Sequence, residues 1–168
     1  MSIRQLVRFD DKILRKISRP VEKFDERLWS LLDDMLETLR DSGGFGMAAP
    51  HIGILRRVIL VDDTVKTELV NPVITAKSEA TQRVFEGSIA PGAPWGFVVR
   101  PQKVTVEARD RLGNPVTQTA EGFLAATFCH EIDHLDGILF TEKSDEIVSD
   151  TKEIDRILTQ SAKQRRRR

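Results

Sequence analysis

Cysteine is almost missing from this chain of 168 residues: Cys129 is the only one, which excludes a disulfide scaffold. Long apolar runs are missing as well. None approaches the roughly 20 residues that a membrane-spanning helix needs, so an integral helical membrane protein is excluded. The opening stretch, MSIRQLVRFDD, lacks the apolar segment of a secretory signal. A lone thiol and no export signal together lead us to expect a reducing, cytoplasmic compartment and no membrane partner. Internal repeats, low-complexity tracts and domain-separating linkers are absent too. What remains is an ordinary globular composition, 40% apolar and 31% charged, long enough for one domain. The formal charge is zero, but unevenly placed. Five of the 26 basic residues fall in the last six positions, so the other 162 residues carry 21 basic against 26 acidic side chains, a net of −5. We therefore divide the chain into one domain over 1–162 and a basic tail over 163–168.

The clearest periodic segment runs from about Asp25 to Asp41. Leu28, Leu31, Leu32, Met35, Leu36 and Leu39 recur at helical spacing and form one apolar stripe. Asp25 is a suitable cap, and Ser42-Gly43-Gly44 stops the helix. Strand signals follow. Val58-Ile59-Leu60-Val61 reads as a short buried strand. Glu68-Leu69-Val70 leads through Asn71-Pro72 into Val73-Ile74. Val104, Val106 and Ala108 alternate with polar residues. Leu112-Gly113-Asn114-Pro115 is a turn, and Val116–Thr119 the returning strand. A second helix is expected from about Glu121 to Asp136, stopped by Gly137. A third is expected from about Asp150, with Ile154, Ile157 and Leu158 as a thin apolar seam. The pattern is α+β: antiparallel strands with a few helices packed on them.

Histidine is scarce, and its placement carries the strongest chemical signal. Two of the three histidines lie in His130-Glu131-Ile132-Asp133-His134 on the second helix. Residues four apart share a helical face, so both imidazoles can reach one metal ion, with Glu131 beside them to take a proton from its water. The third, His51, closes a run of small residues, Gly43-Gly44-Phe45-Gly46-Met47-Ala48-Ala49-Pro50-His51. That run permits close backbone approach, and a phosphate loop is disfavoured because the Lys-Ser/Thr that should follow is missing. A third segment, Glu86-Gly87-Ser88-Ile89-Ala90, reads on its own as a loop at the end of a strand.

In this order and with these flanks, the three segments resemble the signatures of the peptide deformylase family, GxGxAAxQ, EGCxS and HExDH. The likeness extends over nearly the whole chain, from Ile13-Leu14-Arg15 and Pro20-Val21 through Asn71-Pro72 to Leu135–Phe140. It implies an α+β fold with antiparallel sheets packed around a central HExxH helix and a C-terminal helix. It further implies a metal-dependent hydrolase that removes the formyl group from the amino-terminal methionine of new polypeptides, or from a related N-acyl amide.

Three positions depart from the family pattern: Ser88 stands where the family has a ligand cysteine, His51 where it has a glutamine, and Ala90 where it has a serine. Changing together, they argue for natural divergence rather than an introduced substitution. A serine hydroxyl is neutral at pH 7 and a poorer ligand than a thiolate. Because whole structural zinc sites are worth roughly 10–16 kcal/mol, losing one of a few ligands is expected to cost several kcal/mol of metal affinity. His51 either adds a third imidazole ligand, stays beside the metal to donate to the substrate oxygen, or has no role.

Carried onto this chain, the resemblance implies metal ligation by His130 and His134, with Ser88 or a water filling the cysteine position. Glu131 is then the proton carrier, with His51 and the backbone N–H of Ile89 holding the oxyanion. Phe45, Val84, Phe123 and Ala126 match the methionine pocket, Gly46 is a further substrate-binding position, Arg100 is expected to meet the peptide backbone, and Trp95 and Phe97 form an aromatic wall. The ion is expected to be divalent iron or zinc, with nickel or cobalt as alternatives. Relatives with a terminal helix dock near the ribosomal exit, so the basic tail is expected either to contact the ribosome or to remain a solvated end. The competing reading is a catalytically impaired relative that acts as a peptide- or ribosome-binding module.

Overall fold

The computed structural model describes residues 2–63 and 65–165. Helix α1, Glu26–Ser42, follows the apolar stripe. The Asp25 carboxylate accepts from the N–H of Arg27 and Leu28, and Gly43 ends the helix in the left-handed conformation, φ 69°. Strand β1, Gly46–Ala48, pairs with β2, Val58–Asp62, so that Met47 lies opposite Leu60 and Ala48 opposite Ile59. Next come β3, Lys66–Lys77, β4, Thr81–Glu86, and β5, Trp95–Pro101. Strands β6, Lys103–Arg109, and β7, Pro115–Glu121, lead into α2, Gly122–Leu135. The chain closes with β8, Ser144–Val148, and α3, Thr151–Arg165. The strands form two antiparallel sheets, ordered β1-β2-β3-β6-β7 and β4-β5-β8.

The larger sheet is covered on both faces, and β2 shows why four consecutive apolar residues are needed. Val58 and Leu60 face α1, where they join Leu28, Leu32, Met35, Leu39 and Met47. Ile59 and Val61 face α2, among Ala48, Leu69, Val106, Phe128, Ile132 and Leu135. A strand whose neighbours alternate between two helices has no solvent side, so its period of two disappears into a continuous apolar run. Helix α2 is thereby held in the middle of the molecule, almost wholly buried from Ala125 to Leu135.

The Asn71-Pro72 step is where β3 bends. Asn71 has φ 53°, and the register with β6 slips between Val70 and Val73. Pro72 supplies no N–H to the ladder there. The Asn71 side chain pins the bend to the amino-terminal segment, accepting from the N–H of Val21 at 2.8 Å and donating to its carbonyl at 2.9 Å.

The expected helices and the strands β2, β3, β6 and β7 are present. Three strands, β1, β5 and β8, are not expected from the sequence, and β4 only as an unbounded strand ahead of the Glu86 loop. β1 is three small or flexible residues, and the Trp95–Val99 run of β5 reads equally well as a pocket wall. Helix α3 continues to Arg165, across the expected boundary between 162 and 163. Arg166, Arg167 and Arg168 of the expected basic tail lie outside the described residues.

Candidate active site

Three chain segments converge on one cavity of about 270 Å³. The buried helix α2 contributes Phe123, Ala126, Thr127, His130 and Glu131. The loop after α1 contributes Ser42 to Gly46, with His51 just beyond on a short 3-10 turn. The end of β4 and its following loop contribute Val84 to Ile89, with Trp95 behind them. Of the residues singled out from the sequence, Phe45, Gly46, His51, Val84, Ser88, Ile89, Phe123, Ala126, His130 and Glu131 all line this space. His134 stands one turn deeper, its Nε2 3.2 Å from Nε2 of His130.

That separation tests whether a metal fits. A tetrahedral ion at 2.0–2.1 Å from two imidazole nitrogens holds them roughly 3.3–3.4 Å apart. The observed spacing agrees within about 0.2 Å, so the pair is already arranged as one edge of such a site. Among the described residues no group of three or more histidine, cysteine, aspartate or glutamate side chains is arranged to hold a metal. The donor set is therefore two imidazoles, with the Ser88 hydroxyl as the neutral group nearby. Ser88 Oγ accepts from the N–H of Ala90 at 3.2 Å and pairs with His51 Nε2 at 3.3 Å. His51 is thus tied to Ser88. The Ala48 backbone brackets its other nitrogen, at 3.1 Å to N and 3.2 Å to O.

His130 is oriented from behind. Its Nδ1 donates to Glu86 Oε2 at 2.8 Å, which turns Nε2 toward His134. Glu86 is in turn clamped by Arg100, whose Nε and Nη2 donate to its two oxygens at 2.8 and 2.9 Å. The third arm of Arg100 reaches Asp133 at 2.6 Å, and Lys143 binds both oxygens of Asp133. This corrects one expectation: Arg100 does not line the cavity. It is 3% exposed, and its three donor nitrogens are committed to the two carboxylates, so it braces a histidine rather than meeting a peptide. Phe97 is also absent from the lining. It packs on Phe85 at 4.8 Å between ring centroids, and the Arg83 guanidinium covers its face. The aromatic wall consists instead of Trp95 stacked on Phe85.

Charge in the site follows from burial and neighbours. Burial is the largest influence on Glu131 and pushes its carboxyl up to about 7. Among the described residues its buried Oε2 makes no hydrogen bond, and His51 Nδ1 is 3.9 Å away. Burial and the neighbouring His130 hold His51 down at about 3, so its ring is neutral. Burial likewise keeps His134 well below the ordinary histidine value. For His130 burial acts in the same sense, but the Glu86 hydrogen bond and the Glu131 charge outweigh it and raise the ring. Burial alone would raise Glu86, yet Arg100 and His130 bring its carboxyl down to about 2.

Two glycines make this assembly possible. A Cβ on Gly46 would stand 2.6 Å from Glu131 Oε1 and 2.9 Å from Thr127, so β1 can cross α2 at Glu131 only without a side chain. A Cβ on Gly87 would stand 2.9 Å from the Trp95 ring. Sequence reasoning quoted Glu86 within its motif but assigned it no role. Its pairing with Arg100 depends on β4 and β5 being neighbours, which neither segment announces. Leu158, in the thin seam of α3, also lines the cavity. Nothing in the sequence distinguishes it from the rest of that seam.

Comparison with known proteins agrees with this geometry. The family model described as polypeptide deformylase matches residues 3–150. A peptide deformylase of Caldicellulosiruptor bescii is 48% identical over 151 residues, covering 89% of this chain and 90% of that protein. Peptide deformylase 2 of Clostridium acetobutylicum is 49% identical over 146 residues, covering 84% of this chain and 95% of that protein. The crystal structure of a peptide deformylase from Legionella pneumophila superposes with a TM-score of 0.81 at 37% identity, covering 99% of both chains.

Proposed function

The chain belongs to the polypeptide deformylase family, and on that premise we propose that it removes the formyl group from the amino-terminal methionine of new polypeptides, or from a related N-acyl amide. The reaction is metal-dependent amide hydrolysis. The observation that carries it is the placing, at and just behind one cavity, of the paired nitrogens of His130 and His134 together with the carboxylate of Glu131.

A divalent ion held by His130 and His134, with Ser88 as a neutral third donor, would supply a water acidified to near neutral pH and a positive charge beside the scissile carbonyl. Iron, zinc, nickel and cobalt all suit nitrogen donors. Glu131 is the proton carrier. Its carboxyl, raised by burial, takes a proton from the attacking water and returns it to the departing amine. We assign the developing oxyanion to the backbone N–H of Ile89 and the ring of His51, both on the cavity wall. Phe45, Val84, Phe123 and Ala126 give the substrate's first side chain an apolar seat. Closing that space to water strengthens each polar contact within it. Glu86, fixed by Arg100, holds the ring of His130 in place.

We further propose that the protein acts in the cytoplasm, where its single buried thiol stays reduced. The basic run that begins at Lys163 then contacts the ribosome through phosphates, which makes that contact salt-dependent. Formate release from formyl-Met-Ala-Ser, measured with Fe²⁺, Zn²⁺, Ni²⁺ or Co²⁺ supplied, tests the activity. One formate per peptide cleaved is expected, and no release with any of the four ions overturns the reading.

A further inference from the structure

We infer that Leu158, on the carboxy-terminal helix α3, is a movable wall of the substrate cavity and sets the size of side chain that the cavity admits. The inference rests on the reading that this cavity receives the first side chain of a formylated peptide. Among the described residues, Leu158 is the one cavity-lining residue contributed from beyond α2. It also lies past the matched family region, which ends at 150.

Two of the other walls are fixed. Phe123, Ala126 and Thr127 belong to the buried helix α2, and Val84 and Phe85 are paired in register with Val98 and Phe97. Helix α3 is held differently. Ile154, Ile157, Leu158 and Ser161 form a half-buried stripe at spacings of three, one and three, while the residues between them are exposed. Among the described residues the hydrogen bonds and ion pairs of α3 side chains are local to the helix and its cap: Asp150 Oδ1 accepts from the N–H of Glu153 at 2.8 Å, and Arg156 meets Glu153 at 3.3 Å. Among the described residues, the α3 backbone has no extensive approach to any single other element.

An isolated helix of this length is marginal in water, so the apolar stripe supplies what anchoring there is. β8 is locked to β5 as far as Val148, which confines any pivot to Ser149 and Asp150. Leu158 lies eight residues from that pivot, roughly 12 Å along the helix, so a tilt of about 20° moves it by about 4 Å. That travel is comparable to the width of a side chain. Leu158 therefore gives way where the walls on α2 and β4 do not.

The test compares formyl-Met-Ala-Ser with formyl-Phe-Ala-Ser on the wild type, Leu158→Ala and Leu158→Trp. Truncation should raise the kcat/KM preference for the phenylalanyl peptide about tenfold, through KM with kcat nearly constant, and the tryptophan should shift it the other way. An equal effect on both peptides overturns the proposal. Hydrogen exchange of α3 amides in the full chain gives a readout that needs no turnover. Leu158→Ala should exchange about fivefold faster over 154–161 with α2 unchanged, and Leu158→Met should match the wild type. Unchanged exchange in Leu158→Ala also overturns the proposal. Absence of turnover in the wild type would count against the formyl-peptide reading, and the exchange result would still decide whether Leu158 anchors α3.

Discussion

Replacing Arg100 by methionine isolates the brace behind the His130–His134 pair. In the wild type Arg100 donates to both oxygens of Glu86 and to one of Asp133. Without it, Asp133 keeps Lys143 on both oxygens, at 2.7 and 2.8 Å, and is not left alone. Glu86 keeps only His130 Nδ1 while remaining 7% exposed. The damage is therefore concentrated on one buried carboxylate, and breaking a buried pair in this way costs about 3–5 kcal/mol. With a urea dependence of about 2 kcal/mol per molar, the unfolding midpoint of Arg100→Met should fall by about 2 M. Adding Glu86→Gln removes the stranded charge and should recover more than half of the loss in a double-mutant cycle. Because Glu86 steers His130, the single variant should also bind Zn²⁺ about 10–100-fold more weakly in equilibrium dialysis. A loss below about 1 kcal/mol, or no recovery in the double variant, would refute the reasoning.

Four further outcomes are expected. Glu131→Gln should lower kcat for formyl-peptide cleavage by about 10²–10⁴-fold while leaving the urea midpoint unchanged or slightly higher, since a neutral amide replaces a carboxyl that burial already disfavours as an anion. Gly46→Ala drives a methyl against Glu131 Oε1, so calorimetry should show about 1–3 kcal/mol of destabilisation together with reduced turnover. Asn71→Ala loses both hydrogen bonds to Val21 and keeps a positive φ, and should cost about 2–3 kcal/mol, whereas Asn71→Gly should cost less. Burial tends to raise the Glu68 carboxyl, but Arg111 and Lys66 hold it below the ordinary value. Its stabilising effect is thus present above the unfolded carboxylate pKa of about 4.5 and lost as pH falls below it, so the gap in urea midpoint between wild type and Glu68→Gln should close between pH 6 and 3.

Much of this architecture is legible from spacing alone, because its elements are amphipathic about a single core. The stripe on α1 and the Asp25 cap mark a helix unambiguously, and the four-residue apolar run of β2 marks a strand covered on both sides. The HExxH spacing brings His130 and His134 onto one face before any fold is known. What stays hidden depends on tertiary neighbours. β1 is too short for periodicity, and only its pairing with β2 makes it a strand. Arg100 reads as a free cation until β4 and β5 lie side by side and bring Glu86 within reach. Leu158 looks like any seam residue until the helix that carries it is seen to lie over the cavity. The contact between Ser88 and His51 joins two segments 37 residues apart, so the sequence shows two separate departures where the structure shows one pair.

The central claim is that His130 and His134 hold one catalytic divalent ion beside Glu131. Cobalt titration of the metal-free protein, followed by visible absorption together with formate release from formyl-Met-Ala-Ser, tests it in a single preparation. One equivalent of Co²⁺ should bind, with d–d bands that vanish in His130→Ala and His134→Ala but persist in Glu131→Gln, and formate release should rise in step with occupancy. Cobalt that binds equally well to the His130→Ala and His134→Ala variants, or formate released at full rate without any metal, would contradict the account.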